Sequence, residues 1–416
     1  MNSLTISKHN FSIFPNSTSL IVVIPCFNEL NLINALQSLL NCDATINHVE
    51  VITVINASEN EKQEVLQQNN KTLIEALNWT ENSGRKNIHF SFIEATNLPE
   101  KDAGVGLARK IGMDEAYNQF LAIKNSDGVI VCFDADATCS ANYLAEIENH
   151  FKIHTKTTGC SIHFEHPVEG NEYPQAIYNG IVQYELYLRY YKEALHFIGL
   201  PYAFHTVGSS MAVRASVYKK QGGMNKKKAG EDFYFLQKVI PLGNFSEINS
   251  ATVFPSPRIS ERVPFGTGRA MQQWINNDQK VLLTYNFTSF LDLKVFFDKS
   301  EQFFTEDDVE LPESIQLFLY EINFNENLIK IRANSTDKNH FKVLLFKWFN
   351  AFKTLKYLHF SKANFYENES ILIASNKLAT KIGVALQNEA ISMLIAYRNF
   401  QQLRKNSHEY TNKKYV

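Results

Sequence analysis

The sequence predicts an α/β protein with a mostly parallel sheet flanked by helices and a helical C-terminal region. Three observations predict it. Short β-branched apolar runs recur through the first 135 residues, and each is followed by a stretch of helical periodicity. Such alternation implies parallel strands joined by right-handed crossovers. Beyond about residue 285 the pattern changes to Phe, Lys and Asn at helical spacing, with no glycine until Gly383.

In chain order, Leu20 to Ile24 reads as the first strand, stopped by Pro25, and Ile33, Leu36, Leu39 and Leu40 share one face of a following helix. Val49 to Ile55 is a second strand, expected to end in the turn-forming Asn56-Ala-Ser-Glu-Asn cluster, and a polar helix occupies Glu61 to Leu77. Ile88, Phe90 and Phe92 alternate with polar residues as a third strand. A helix over Ala103 to Ile123 leads to a fourth strand, Val129 to Phe133. Ser140, ahead of Leu144, Ile147 and Phe151, announces the next helix as its cap. Gln175 to Leu200 carries Ile177, Ile181, Tyr184, Leu188, Tyr191 and Leu195 on one stripe, with Glu185 and Arg189 spaced for an i,i+4 pair. Residues 255–269, rich in Pro, Ser, Gly and Arg, read as a long loop of the kind that serves as a lid. In the tail, Phe341 to Leu358 reads as one helix with a wide apolar face and lysines opposite it, suited to packing or to peripheral membrane contact. The expected division is a domain at 1–285 and a mainly helical region at 286–416.

At 416 residues the chain is long enough for a main domain and a smaller second one. A net charge of −2 supplies no basic footprint, so a nucleic-acid partner is not expected. Five cysteines without a C-x-x-C pair argue against a disulfide framework or zinc site and for a reducing compartment, the cytoplasm. No signal-peptide pattern opens the chain and no window reaches the roughly 18 apolar residues of a membrane span.

The most informative stretch is Gly128-Val-Ile-Val-Cys-Phe-Asp-Ala-Asp136, an apolar strand ending in two carboxylates one residue apart. In extended chain Asp134 and Asp136 point to the same side. Paired oxygen ligands suit Mg²⁺ or Mn²⁺, which one or two carboxylates hold together with substrate phosphates.

Taken in order, Ile24-Pro-Cys-Phe-Asn-Glu29, Asn56-Ala-Ser, Gly104-Val-Gly-Leu-Ala-Arg-Lys-Ile-Gly112, Asp134-Ala-Asp136, Gly208-Ser-Ser210 and Gly230-Glu-Asp232 resemble the family-2 glycosyltransferases over residues 18 to 275. The resemblance implies a GT-A-type, Rossmann-like fold, a nucleotide-sugar donor, a divalent metal (Mn²⁺ or Mg²⁺) and inversion at the anomeric carbon. By the same resemblance Pro25, Asn28, Glu29 and Asn56 line the nucleoside pocket, Asp134 reaches ribose or metal, Asp136 ligates the metal, and Asp232 is the base. Arg109 supports the nucleotide or holds Asp134. The acceptor is expected to be a saccharide or lipid-linked hydroxyl, in cell-surface glycan or glycolipid synthesis.

Further candidates surround this set. Arg258, Arg262 and Arg269 are either candidates to close on a diphosphate, because guanidinium groups pair bidentately with phosphate oxygens, or solvated loop arginines. Ser209 and Glu231 lie within the motifs. His205 is a candidate for the donor sugar or metal, although a structural role is the better reading for it as for His163 and His166. Trp274 either stacks on an acceptor sugar or belongs to the core. Asn56 stands where the family commonly has Asp, which leaves the base open. Ala270-Met-Gln-Gln-Trp274 keeps only the Trp of the Q-x-x-R-W sequence of processive synthases, so polymer synthesis is not expected. A nucleotidyltransferase would need glycine and arginine straight after the first strand, and neither is there. The remaining rival is a catalytically idle nucleotide- or glycan-binding module.

Overall fold

The computed structural model describes residues 6–12, 14–83, 87–260, 266–276 and 281–404. The chain runs β1 (Ser7–His9), β2 (Thr18–Cys26), α1 (Leu32–Leu40), β3 (His48–Ser58), α2 (Gln63–Asn82), β4 (Ile88–Leu98), α3 (Val105–Ala122), β5 (Val129–Cys132), β6 (Thr138–Cys139), α4 (Tyr143–Ile153), β7 (Gly159–Phe164), α5 (Gln175–Phe197), β8 (Met211–Arg214), α6 (Ala215–Lys220), α7 (Glu231–Val239), β9 (Phe245–Phe254) and α8 (Thr267–Ile275). The remainder is β10 (Leu283–Thr284), α9 (Phe287–Asp298), α10 (Glu313–Glu321), α11 (Phe324–Ala333), α12 (Lys338–Trp348), α13 (Ala351–Asn364), β11 (Glu369–Ser370), α14 (Ile371–Ile382) and α15 (Ala390–Leu403).

Two compact units are distinguished. The first takes in the residues through Gly170 and Thr206–Ala270; the second takes in Asn171–His205 and Met271–Arg404. The first is built on a nine-stranded sheet in the order β1, β4, β3, β2, β5, β8, β7, β9, β6. Strands β4, β3, β2 and β5 are parallel, β8 runs antiparallel to β5 and β7, β7 and β9 are parallel, and β1 and β6 close the edges antiparallel. Ile21 to Ile24 are wholly buried, as expected of a strand covered on both faces.

This order locates the site. From β2 the chain winds outward through β3 to β4, then returns to place β5 on the other side of β2. The crevice at the carboxyl ends of β2 and β5 is therefore the topological switch point, where open α/β sheets bind ligands. The Pro25–Glu29 segment and the two aspartates after β5 emerge there.

Several local expectations are corrected. Strand β3 continues through Ser58, because Asn56 and Ser58 still pair with Ala95 and Leu98 of β4; the ladder overrides the turn propensity of Asn-Ala-Ser. Ser140 does not cap α4: its Oγ donates to Asn142 Oδ1 at 2.7 Å and accepts from Thr252 N at 2.9 Å, and Asn142 is the cap residue. The expected single helix over 341–358 is two. Asn350 Oδ1 accepts from the N–H groups of Phe352 and Lys353, which starts α13 anew. The apolar face drawn from that stretch is buried at Phe341, Leu345, Phe346, Phe349, Tyr357 and Leu358.

Within the second unit, α5 buries ions as well as the apolar stripe. Glu185 accepts from Arg189 Nε at 2.8 Å and from Arg398 NH2 at 2.7 Å; Glu193 accepts from Lys192 at 3.0 Å, Gln401 at 2.8 Å and Arg404 at 2.7 Å. The i,i+4 pair read from the sequence is one edge of a network joining α5 to α15. No helix among the described residues is long and apolar enough to cross a membrane.

Candidate active site

Strand β5 ends at Cys132, and the next residues carry Asp134 and Asp136 out of the sheet. Facing them is α3, whose Arg109 is 2 % exposed. Its NH2 donates to Asp134 Oδ1 at 2.8 Å and its NH1 to Glu231 Oε1. Glu231 is the first residue of α7, which Gly230 precedes in the left-handed conformation at φ 68°, so the chain turns sharply into the helix. Asp232 follows, its Oδ1 accepting from Phe233 N at 2.6 Å. One guanidinium thus gathers the carboxylates of β5 and α7, elements about a hundred residues apart in the chain.

Gly208 permits this approach. A Cβ there would lie 2.8 Å from Arg109 NH1, 2.9 Å from NH2 and 3.0 Å from Asp232 Oδ2. The two guanidinium nitrogens are held by ion pairs to Asp134 and Glu231 and cannot retreat without breaking them. Gly208→Ala is expected to destabilise the first unit by about 1–3 kcal/mol and to lower turnover at least tenfold, measured by urea unfolding and by initial rates.

The electrostatics follow from burial. Burial pushes Glu231 up to about 7, with Arg109 pulling the other way and Asp232 adding to the rise. Burial likewise raises Asp232 above the ordinary carboxylate range, again opposed by Arg109. For Arg109 burial disfavours the charge, but Glu231 and Asp134 outweigh it and hold the guanidinium above its ordinary pKa. Among the described residues Arg109 Nε has no hydrogen-bond partner, a cost carried at the centre of the cluster.

The first strand's loop supplies the second cluster. Asn28 takes a left-handed φ of 48°, tolerated by Asn, and its N–H donates to Asn69 Oδ1 at 2.8 Å. Glu29, 2 % exposed, accepts from Leu30 N and Asn31 N at Oε1 and from Arg258 NH2 at 2.5 Å at Oε2. Arg258 Nε reaches Asp136 Oδ2 at 2.7 Å. Asn56 is buried; its Nδ2 donates to Cys26 O at 2.8 Å, which ties β3 to the Pro25 segment and leaves Oδ1 as the acceptor atom. Pro25 itself is buried within β2.

The other candidates are placed as follows. Ser209 is buried, with its Oγ 3.5 Å from that of Ser210. Arg269 is on α8 and partly exposed, and Arg262 lies outside the described residues. His163 bonds Glu165 and His166 bonds Thr267, both structural contacts. In the second unit, Trp274 is 6 % exposed, donates to Ala176 O at 2.9 Å and packs on Gly180, so it is core there. His205, also of that unit, lies 3.5 Å from Gln401 Oε1, and burial among Lys192 and Arg189 holds it well below its ordinary pKa.

Sequence reasoning missed the bridge that Arg258 makes, since a loop arginine carries no spacing signal toward Glu29 or Asp136. Converging carboxylates repel one another, and here Arg109 and Arg258 compensate part of that repulsion. Five carboxylates (Glu29, Asp134, Asp136, Glu231, Asp232) nevertheless face two guanidinium groups, an excess of negative charge. Among the described residues Asp134 Oδ2 has no hydrogen-bond partner, and its side chain and that of Asp136 are partly exposed. No group of three or more His, Cys, Asp or Glu able to hold a metal is present among the described residues. Two oxygen donors with phosphate and water completing the shell still fit Mg²⁺ or Mn²⁺.

Residues 21–222 match the family model for glycosyl transferase family 2. Among solved structures, S. aureus TarS 1–349 aligns at a TM-score of 0.38 and 15 % identity, covering 83 % of this chain and 90 % of that one. Its complex with UDP-GlcNAc aligns at 0.38 and 14 %, covering 92 % and 90 %. The longer S. aureus TarS structure aligns at 0.37 and 14 %, covering 82 % and 55 %. No curated protein matches the sequence.

Proposed function

We propose that this chain, whose residues 21–222 match the family model for glycosyl transferase family 2, is a metal-dependent, inverting enzyme moving a sugar from a nucleotide-sugar donor to a hydroxyl of a saccharide or lipid-linked acceptor. The observation that carries this reading is the gathering of Asp134, Glu231 and Asp232 around buried Arg109 at the switch point of the sheet. A site of this kind offers negative oxygen donors on one strand end and a separate, partly buried carboxylate, Asp232, on a helix start.

Asp232 is the base. Single-step inversion needs one proton acceptor on the face of the sugar away from the leaving diphosphate, and burial makes this carboxylate a stronger acceptor than an exposed one. Arg109 acts through others: it fixes Asp134 and keeps Glu231 and the start of α7 in place. Asn56 Oδ1 is the acceptor offered to a ring N–H of the nucleobase. Asp134 and Asp136 would hold the divalent cation, which when bound offsets the charge that develops on the departing diphosphate. A lipid-linked acceptor would bring the enzyme to a membrane surface, and the exposed Lys347, Lys356 and Lys362 supply charge suited to anionic headgroups.

The test is release of nucleoside diphosphate from a panel of UDP-, GDP- and CDP-sugars, each with Mn²⁺, with Mg²⁺ and with chelator. Turnover of one donor, lost with chelator and giving an inverted anomer by NMR, is the expected result. Absence of both turnover and nucleotide binding across the panel would favour the idle module.

A further inference from the structure

We propose that Arg258 is a positioning residue that occupies the cation place at Asp136 until a nucleoside diphosphate arrives, with Glu29 as the anchor it keeps. The inference rests on the metal-dependent reading above and adds to it an order of binding built into the chain.

The bridge is made by the fold. Thr138 pairs with Phe254 across β6 and β9, so Asp136, two residues before that pair, and Arg258, four residues after it, leave the sheet side by side. The guanidinium then divides: NH2 holds Glu29 at 2.5 Å and Nε holds Asp136 at 2.7 Å. The two ends differ. Glu29 is closed in and its other oxygen is fixed by Leu30 N and Asn31 N of its own turn. Asp136 is 25 % exposed and Arg258 27 %, so a ligand can reach this half of the bridge.

A divalent cation seeking Asp136 Oδ2 must therefore compete with a positive charge already there. A diphosphate changes that competition, because its oxygens accept bidentately from a guanidinium and draw Arg258 off Asp136. Asp136 is then released toward the cation at the moment the diphosphate supplies the rest of its shell. Metal and nucleotide binding become coupled, and the coupling is reciprocal: each strengthens the other by the same factor.

The experiment titrates Mn²⁺ by EPR into the full chain, with and without saturating UDP, GDP or CDP, whichever binds. It compares the native protein with Arg258→Ala and Arg258→Lys, after thermal unfolding shows that the variants remain folded. In the native protein free Mn²⁺ is expected to bind weakly and the nucleotide to strengthen its binding at least tenfold. With Arg258→Ala, Mn²⁺ affinity without nucleotide is expected to rise about tenfold and the coupling factor to fall correspondingly. Arg258→Lys, which cannot bridge two carboxylates with a planar fork, is expected to fall between. Equal Mn²⁺ affinities and equal coupling in native protein and Arg258→Ala would overturn the role given to Arg258 while leaving the metal reading intact. If none of the proteins binds Mn²⁺ even with nucleotide, the metal reading fails and the inference with it.

Discussion

Asp232→Asn is expected to lower sugar transfer by about 10²- to 10⁴-fold while leaving donor binding at its native level. The substitution keeps the shape of the side chain, and Asn Oδ1 can still accept from Phe233 N, so α7 starts as before. What is lost is the proposed proton acceptor. A kcat loss without a matching rise in donor Kd separates this role from a structural one. The pH profile adds a second check. The proposed base would work only when ionised, and burial raises both Asp232 and its neighbour Glu231, the latter to about 7. The rate should therefore fall on acidification well above the ordinary carboxylate range of about 4. The midpoint belongs to the adjacent pair rather than to one residue. In Asp232→Asn that limb should disappear from any residual activity.

Arg109→Met is expected to cost about 3–5 kcal/mol of stability and to abolish transfer. The methionine fills the buried volume but leaves Glu231 and Asp134 without the charge that both now face. Glu231 is buried, so in the variant its pKa rises further and its carboxyl is increasingly protonated when folded. A carboxylate whose folded pKa is raised contributes stability below its unfolded pKa and loses it as pH rises through the folded value. The deficit of Arg109→Met relative to the native chain should accordingly be larger at pH 8 than at pH 5, read from urea unfolding at both. A deficit independent of pH would assign Arg109 a packing role only.

How much of this was legible in the sequence depended on whether the signal was local. The apolar run closed by Asp134-Ala-Asp136 announced strand β5 and its exit, and the strand and helix alternation announced the parallel half of the sheet. Gly230-Glu-Asp232 was readable as a helix start. Side-chain meetings between distant segments left no such trace. Arg258 reaches Glu29 across 229 positions, and Cys42 and Cys139 approach to 3.6 Å between sulfurs although no short cysteine spacing hinted at it. On α5 the apolar stripe was visible. The depth at which Glu185 and Glu193 are buried was not, because their partners Arg398, Gln401 and Arg404 lie two hundred residues away. Asn56 misled for a different reason: its turn propensity is real, but nine residues of buried strand and a ladder to β4 outweigh it.

If the carboxylates gathered at the switch point form a metal-assisted donor site, calorimetric titration of UDP, GDP and CDP into the native chain and into Asp134→Asn, each with and without Mn²⁺, will reveal it. One nucleotide is expected to bind, strongly only with Mn²⁺, and Asp134→Asn is expected to remove the metal dependence. Nucleotide binding that is indifferent to both Mn²⁺ and Asp134, or no binding at all, would rule out such a site.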